Sequence, residues 1–120
     1  MYSIKKITVE SIIEASKNVF PQEFFSMLGG KNEVITELVI VPAIYGENFS
    51  SYRLDLVPFD RTIIGTVHSH PSRNNSPSKA DINSFKKTGK IHLIIAYPYT
   101  AETIAAFDEN GKETTIKIIE

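Results

Sequence analysis

Cysteine is absent from this sequence. Disulfides, thiolate zinc sites and cysteine nucleophiles are therefore excluded, and the lack fits a reducing cytosol. Positive charge in excess is missing too. The 13 basic residues stand against 14 acidic ones, a net charge of -1, which gives no support to a nucleic-acid partner. No apolar run approaches the roughly 18 residues that a membrane-spanning helix needs. Met1 to Lys6 carries two lysines, but no apolar stretch succeeds them before Glu10 and Glu14, so no secretory signal is expected. These absences lead to the expectation of a cytoplasmic protein without membrane or nucleic-acid partners. What is present suffices for a packed core. Hydrophobic residues make up 42% of 120 residues, the size and composition of one domain spanning 1–120.

Val9, Ile12 and Ile13 have the i, i+3, i+4 spacing of one helix face, which Ser16 and Phe20 continue. A helix is expected from about Val9 to Val19, ended by Pro21. Glu23 to Gly30 suits a buried strand closed by its two glycines, although a short helical turn opening at Pro21 fits as well. Val34 to Val41 is β-branched and reads as a strand, ended by Pro42. Tyr45 to Ser51 is polar and reads as a loop. Tyr52 to Val57 alternates as a half-buried strand does, with a turn at Pro58 and Asp60. Thr62 to Val67 carries no charge and is mostly β-branched, as in a central strand covered on both faces.

A Ser, Arg, Asn and Pro loop occupies Ser72 to Pro77. Ser78 then opens a helix over about Lys79 to Thr88, closed by Gly89. Ile91 to Ala96 is another buried strand. Thr103 to Phe107 and Thr114 to Ile119 look like a terminal hairpin around Asn110-Gly111. The pattern predicts an α/β protein, one mixed sheet with helices packed on it.

The stretch Thr66 to Asp81 carries the chemistry. Side chains two apart on a strand share a face, so His68 and His70 can present two imidazoles to one ion. Asp81 lies in the first turn of the next helix, and the loop can bring it back towards them. Two nitrogens and one carboxylate oxygen make a three-ligand zinc set with the fourth position left for water. Zinc would lower the pKa of that water and polarise a carbonyl. Histidines at a strand end can also be plain surface residues, and Ser78 with Asp81 has the S-x-x-D form of a capping box. The joint occurrence of H-x-H-P, the helix-opening serine and the aspartate favours the metal. The other marked residues read as structural. His92 should be a packed or hydrogen-bonded histidine rather than a fourth ligand. Ser69, on the face opposite the ligands, should support the strand. Lys86, Lys87 and Lys90 should be a solvated patch, and Phe24, Phe25 and Phe85 core.

His68-Ser69-His70-Pro71, a gap of fixed length, then Ser78-Lys79-Ala80-Asp81 resembles the motif of the JAMM (MPN+, JAB) zinc metalloproteases. Pro21-Gln22-Glu23, with Met27-Leu28 and Gly30, resembles the family's upstream P-x-E segment, departing from it at Ser26, where glycine is common. The resemblance implies a curved mixed β-sheet flanked by two helices, similar to cytidine deaminases. It implies that His68, His70 and Asp81 bind zinc and that Glu23 is the general base that later protonates the leaving amine. It implies that Ser78 donates a hydrogen bond to the oxyanion. Glu10, Glu14, Glu33 and Glu37 compete for the base role. Glu23 is favoured because it enters an apolar stretch behind Pro21.

The activity implied is a zinc-dependent isopeptidase or peptidase. Its expected partner is a ubiquitin-like or sulfur-carrier protein, or a conjugate of one, cut after the modifier's C-terminal glycine. The compact chain fits an archaeal or bacterial type. A non-catalytic scaffold is the alternative, and a hydrolase of another amide is a third.

Overall fold

The computed structural model describes residues 1–40 and 62–120. The expected end of a strand at Pro42, the loop Tyr45 to Ser51, the strand Tyr52 to Val57 and the turn at Pro58 and Asp60 lie outside the described residues. The chain opens with β1 (Tyr2–Lys5) and runs directly into α1 (Lys6–Val19). A hairpin of β2 (Phe25–Lys31) and β3 (Val34–Val39) comes next. Then come β4 (Ile63–His70), α2 (Lys79–Phe85) and β5 (Ile91–Ala96). A single 3-10 turn at Ala101–Thr103 leads to β6 (Ile104–Phe107), β7 (Glu113–Thr114) and β8 (Ile116–Ile119).

The helix expected from Val9 begins three residues earlier. Lys5 caps it without a side-chain hydrogen bond, so no Ser, Thr, Asp or Asn marks the boundary. Val9, Ile12 and Ser16 are buried as the spacing requires, while Phe20 is exposed and ends the helix instead of continuing its face. The glycine pair expected to close β2 lies inside it. The turn is Asn32-Glu33, with φ of 55° and 62°. Two successive positive φ values make the hairpin loop whose twist matches that of its strands. Gly30 carries a register shift against β3, and a Cβ there would collide with the Val34 carbonyl.

Among the described residues the strands form one eight-stranded sheet, in the order β7-β6-β5-β4-β2-β3-β1-β8. Its two edge strands are nearly consecutive in sequence, so the sheet has to curl almost into a barrel to place them. This corrects the expected terminal hairpin. β6 pairs antiparallel with β7, through Ala106 with Thr114 and Phe107 with Glu113. β8 instead crosses to lie parallel to β1. The connection between β6 and β7 is also longer than an Asn-Gly turn. Asp108 Oδ1 accepts from the N–H groups of Asn110 and Lys112 at 2.8 and 3.0 Å, organising a five-residue loop with Gly111 at φ 80°.

α2 is shorter than expected. Lys87 N and Thr88 N donate to the carbonyls three residues back, and Thr88 Oγ1 donates to the Ser84 carbonyl. The last stretch therefore winds into tighter turns before Gly89, at φ 118°. The curved mixed sheet with two helices is the fold class expected. Among the described residues no helix is long and apolar enough to cross a membrane.

The sheet buries both faces. Val9 and Ile12 of α1 pack over Phe24, Leu28, Val67, Leu93 and Ile95. Phe85 of α2 packs over Phe25, Met27, Ile94 and Phe107. β4 is central, antiparallel to β2 and parallel to β5. Its Gly65 lies so close to β5 that a Cβ would strike the Ile91 carbonyl. Val67 faces α1, and alternation turns His68 and His70 towards α2.

Candidate metal centre

The two histidines occupy the C-terminal end of β4, and the helix opposite supplies the carboxylate. His68 Nε2 lies 3.1 Å from His70 Nε2. Asp81 Oδ2 lies 3.4 Å from His68 Nε2 and 3.6 Å from His70 Nε2. These are the three side chains whose ligand atoms converge among the described residues. Four ligands at about 2.0–2.2 Å from a tetrahedral zinc stand roughly 3.3–3.6 Å apart. The separations of 3.4 and 3.6 Å match that spacing and the 3.1 Å between the imidazoles is slightly shorter, and the donor set of two imidazoles and one carboxylate suits zinc with one position open.

Asp81 and His70 are held from behind. Asp81 stands at the third position of α2 in a full capping box. Ser78 Oγ accepts from Asp81 N at 3.0 Å, and Asp81 Oδ2 accepts from Ser78 N at 3.0 Å. The capping and ligand readings of these residues are thus compatible, because the cap fixes the carboxylate that faces the histidines. His70 Nδ1 donates to the Asn74 carbonyl at 2.8 Å. That bond directs the lone pair of Nε2 into the cluster. The loop that supplies Asn74 is itself tied. Asn74 Oδ1 accepts from Ser76 N, and Asn75 Nδ2 donates to the Thr103 carbonyl at 3.0 Å. Sequence reasoning missed Asn74, because a backbone carbonyl leaves no signature in residue type.

Electrostatics couple the three groups. Burial alone would raise the Asp81 carboxyl, but hydrogen bonds with His68 and His70 and the charge of His68 hold it well below the usual carboxylate range. Burial would lower His70. Its bonds to Asp81 and the Asn74 carbonyl, with the charges of Asp81 and Glu23, reverse this and raise it. A cluster that attracts a proton in this way is one in which a bound cation takes the proton's place.

The charge of Glu23 on His70 has a structural origin. β2 pairs with β4 through Phe25 and His68. One step further Ser69 N donates to the Phe24 carbonyl at 2.9 Å, and Ser69 Oγ accepts from Phe24 N at 2.8 Å. Continuing that register sets Glu23, half-buried, opposite His70. The competitors lie elsewhere. Glu10, Glu14 and Glu37 are exposed on α1 and β3, and Glu33 pairs with the N-terminal amine at 3.2 Å. Ser78 is exposed at the mouth of α2. Its Oγ acts as acceptor within the cap, which leaves its O–H to donate outward.

His92 is the packed histidine expected. It is fully buried and stacks on Phe85 with centroids 4.2 Å apart. Its Nε2 donates to the Gly89 carbonyl at 3.0 Å, and its Nδ1 accepts from Thr66 Oγ1 at 2.7 Å. Burial foremost, with the nearby His68, lowers its pKa to about 4. Between the ordinary 6.5 and about 4 the unfolded chain takes up a proton that the folded chain refuses. Stability therefore falls as pH drops through that window, by about 3 kcal/mol in all. Urea unfolding of wild type and His92→Gln at pH 7, 6, 5 and 4.5 should show a stability difference that shrinks steadily on acidification. A difference independent of pH would refute the neutral buried imidazole. Lys86, Lys87 and Lys90 lie on the surface, as expected of a solvated patch.

Strand tip and capped helix together define a one-zinc centre of the hydrolase type on a curved mixed sheet. The family described as prokaryotic homologs of the JAB domain matches residues 5–109, and the chain belongs to that compact prokaryotic JAMM family. A probable metalloprotease of Haloferax volcanii is 32% identical over 90% of this chain and 73% of its own length. A solved domain described as "JAMM: A Metalloprotease-like Zinc Site in the Proteasome and Signalosome" is 30% identical, with a TM-score of 0.81 over 100% of this chain and 99% of that one. A JAB1/MPN domain protein from Archaeoglobus fulgidus is 31% identical, with a TM-score of 0.80 over 98% and 99% of the two chains. The likeness to these domains extends over the whole sheet, and the converged histidines and aspartate fit the zinc of a metalloprotease.

Proposed function

We propose that this chain is a zinc-dependent isopeptidase that releases a small ubiquitin-like or sulfur-carrier protein from an amine at its C-terminal glycine. The observation that carries the reading is the convergence of His68 Nε2, His70 Nε2 and Asp81 Oδ2 within 3.1 to 3.6 Å. These three side chains would hold the zinc. When bound it supplies Lewis acidity, lowering the pKa of a water and polarising the amide carbonyl. Glu23, opposite His70, takes the proton from the attacking water and gives it to the leaving amine. Ser78 presents its hydroxyl to the carbonyl oxygen as negative charge develops there. Phe25, buried in the register position beside His68, keeps that side of the centre apolar. The modifier substrate is supported by the resemblance of the His68 to Asp81 motif to isopeptidases of this family, and a cytoplasmic location by the lack of cysteine, which fits a reducing compartment. A scaffold without activity would not require three converged donors backed by a cap and an oriented imidazole.

Incubation of the zinc-loaded protein with a modifier joined to a lysine side chain should release the free modifier. A chelator should reduce the rate to background, and added zinc should restore it. A protein holding one zinc that leaves isopeptide and linear conjugates intact would sink the reading. Cleavage of an unrelated amide alone would move the chain to the third expectation.

A further inference from the structure

Ser69 lies between the two histidines in sequence but faces away from them, fully buried on the α1 side of the sheet. Its two bonds to Phe24 differ from a regular antiparallel rung. There, two residues exchange N–H and carbonyl groups on both sides. Here one half is regular, Ser69 N to the Phe24 carbonyl. In the other half the Ser69 hydroxyl oxygen replaces its backbone carbonyl as acceptor for Phe24 N–H. The regular ladder begins at Phe25 with His68. The mixed rung therefore lies one residue away from Glu23.

We propose that Ser69 is a positioning residue for the base: its hydroxyl sets where β2 splays from β4 and so holds Glu23 beside His70. The physical reason is an obligation of the backbone. Phe24 is buried, and a buried N–H must find an acceptor. With Oγ as acceptor the chain stands off from the Ser69 carbonyl. Without it the N–H has to swing to that carbonyl or to water, and the adjoining Glu23 moves with it. Ser69 touches no substrate, and alternation keeps it out of the ligand set. The inference rests on the role of Glu23 proposed above.

The test uses Ser69→Ala and Ser69→Thr in the zinc-loaded protein, with Ser69→Val as the hydroxyl-free isostere of the threonine variant. Four quantities are read: zinc per chain, Tm, exchange of the Phe24 amide hydrogen, and kcat with KM. Ser69→Ala and Ser69→Val should keep one zinc. Their Phe24 amide should exchange about tenfold faster or more. Their kcat should fall about 10- to 100-fold with KM unchanged, the size expected of a small misplacement. Ser69→Thr should restore both amide protection and kcat. Unchanged Phe24 exchange, or faster exchange with unchanged kcat, would overturn the proposal. Loss of zinc or of the fold in both hydroxyl-free variants would overturn it too, by assigning Ser69 to the fold as a whole. If the wild type itself cleaves no conjugate, the isopeptidase reading fails. The Phe24 exchange of the variants then decides separately whether Ser69 holds this segment, and unchanged exchange still refutes it.

Discussion

Glu23→Gln should lower the rate of conjugate cleavage by at least about 100-fold, within the range that general acid–base catalysis contributes, while zinc stays at one per chain. The two outcomes separate because the donor set is complete without Glu23. Its three atoms already stand 3.1, 3.4 and 3.6 Å apart. Glutamine keeps the shape and hydrogen-bonding reach of glutamate but cannot accept the proton of the attacking water. Glu23 is only half-buried, so the exchange should change stability by no more than about 0.5 kcal/mol. Cleavage by Glu23→Gln at the wild-type rate, with zinc bound, would show that another group takes the proton.

Asp81→Asn should lower zinc affinity by more than about 100-fold, beyond what the loss of an outer hydrogen-bonding partner costs, and activity should disappear with the metal. Asparagine is the informative substitution because Asp81 has two tasks. Its Oδ2 faces both histidines and also accepts from Ser78 N. The asparagine carbonyl oxygen can still accept that capping bond, but the neutral amide gives up the charge interaction with the two histidines, so the metal-free protein should unfold somewhat below the wild-type temperature. Asp81→Ala loses the reciprocal half of the cap as well and should cost about 1 kcal/mol more. Calorimetric zinc titration and thermal unfolding of the metal-free forms distinguish the two tasks. Wild-type zinc affinity in Asp81→Asn would remove Asp81 from the ligand set.

Both substitutions act on residues marked in the sequence, yet the two are legible for different reasons. Asp81 belongs to a local pattern, since a capping serine three residues ahead places it in the first turn of a helix. Glu23 has no local pattern of its own beyond its position after Pro21. Resemblance picks it out, and its place opposite His70 depends on the pairing of β2 with β4. The same contrast holds for the elements. The β-branched runs at Ile63 and Ile91 show themselves as buried strands. β1, four residues long, does not, because so short a segment has no period to read. It is a strand because β3 and β8 lie on either side of it. The glycines of β2 resemble a turn, and only the neighbouring strands show that they sit in a bulged, close-packed ladder.

Residue order alone determined the ion-binding chemistry, since two histidines on one side of a strand and an aspartate in a capped helix obey rules acting over a few residues. It determined the principal buried strands and the apolar face of α1 for the same reason. Tertiary structure decided that Asp81 meets the histidines, that Glu23 faces His70, and that β8 leaves its neighbour β7 to close the far edge against β1. Those outcomes depend on pairings between distant segments, whose free energy belongs to the assembled sheet and is not contained in any short stretch of chain.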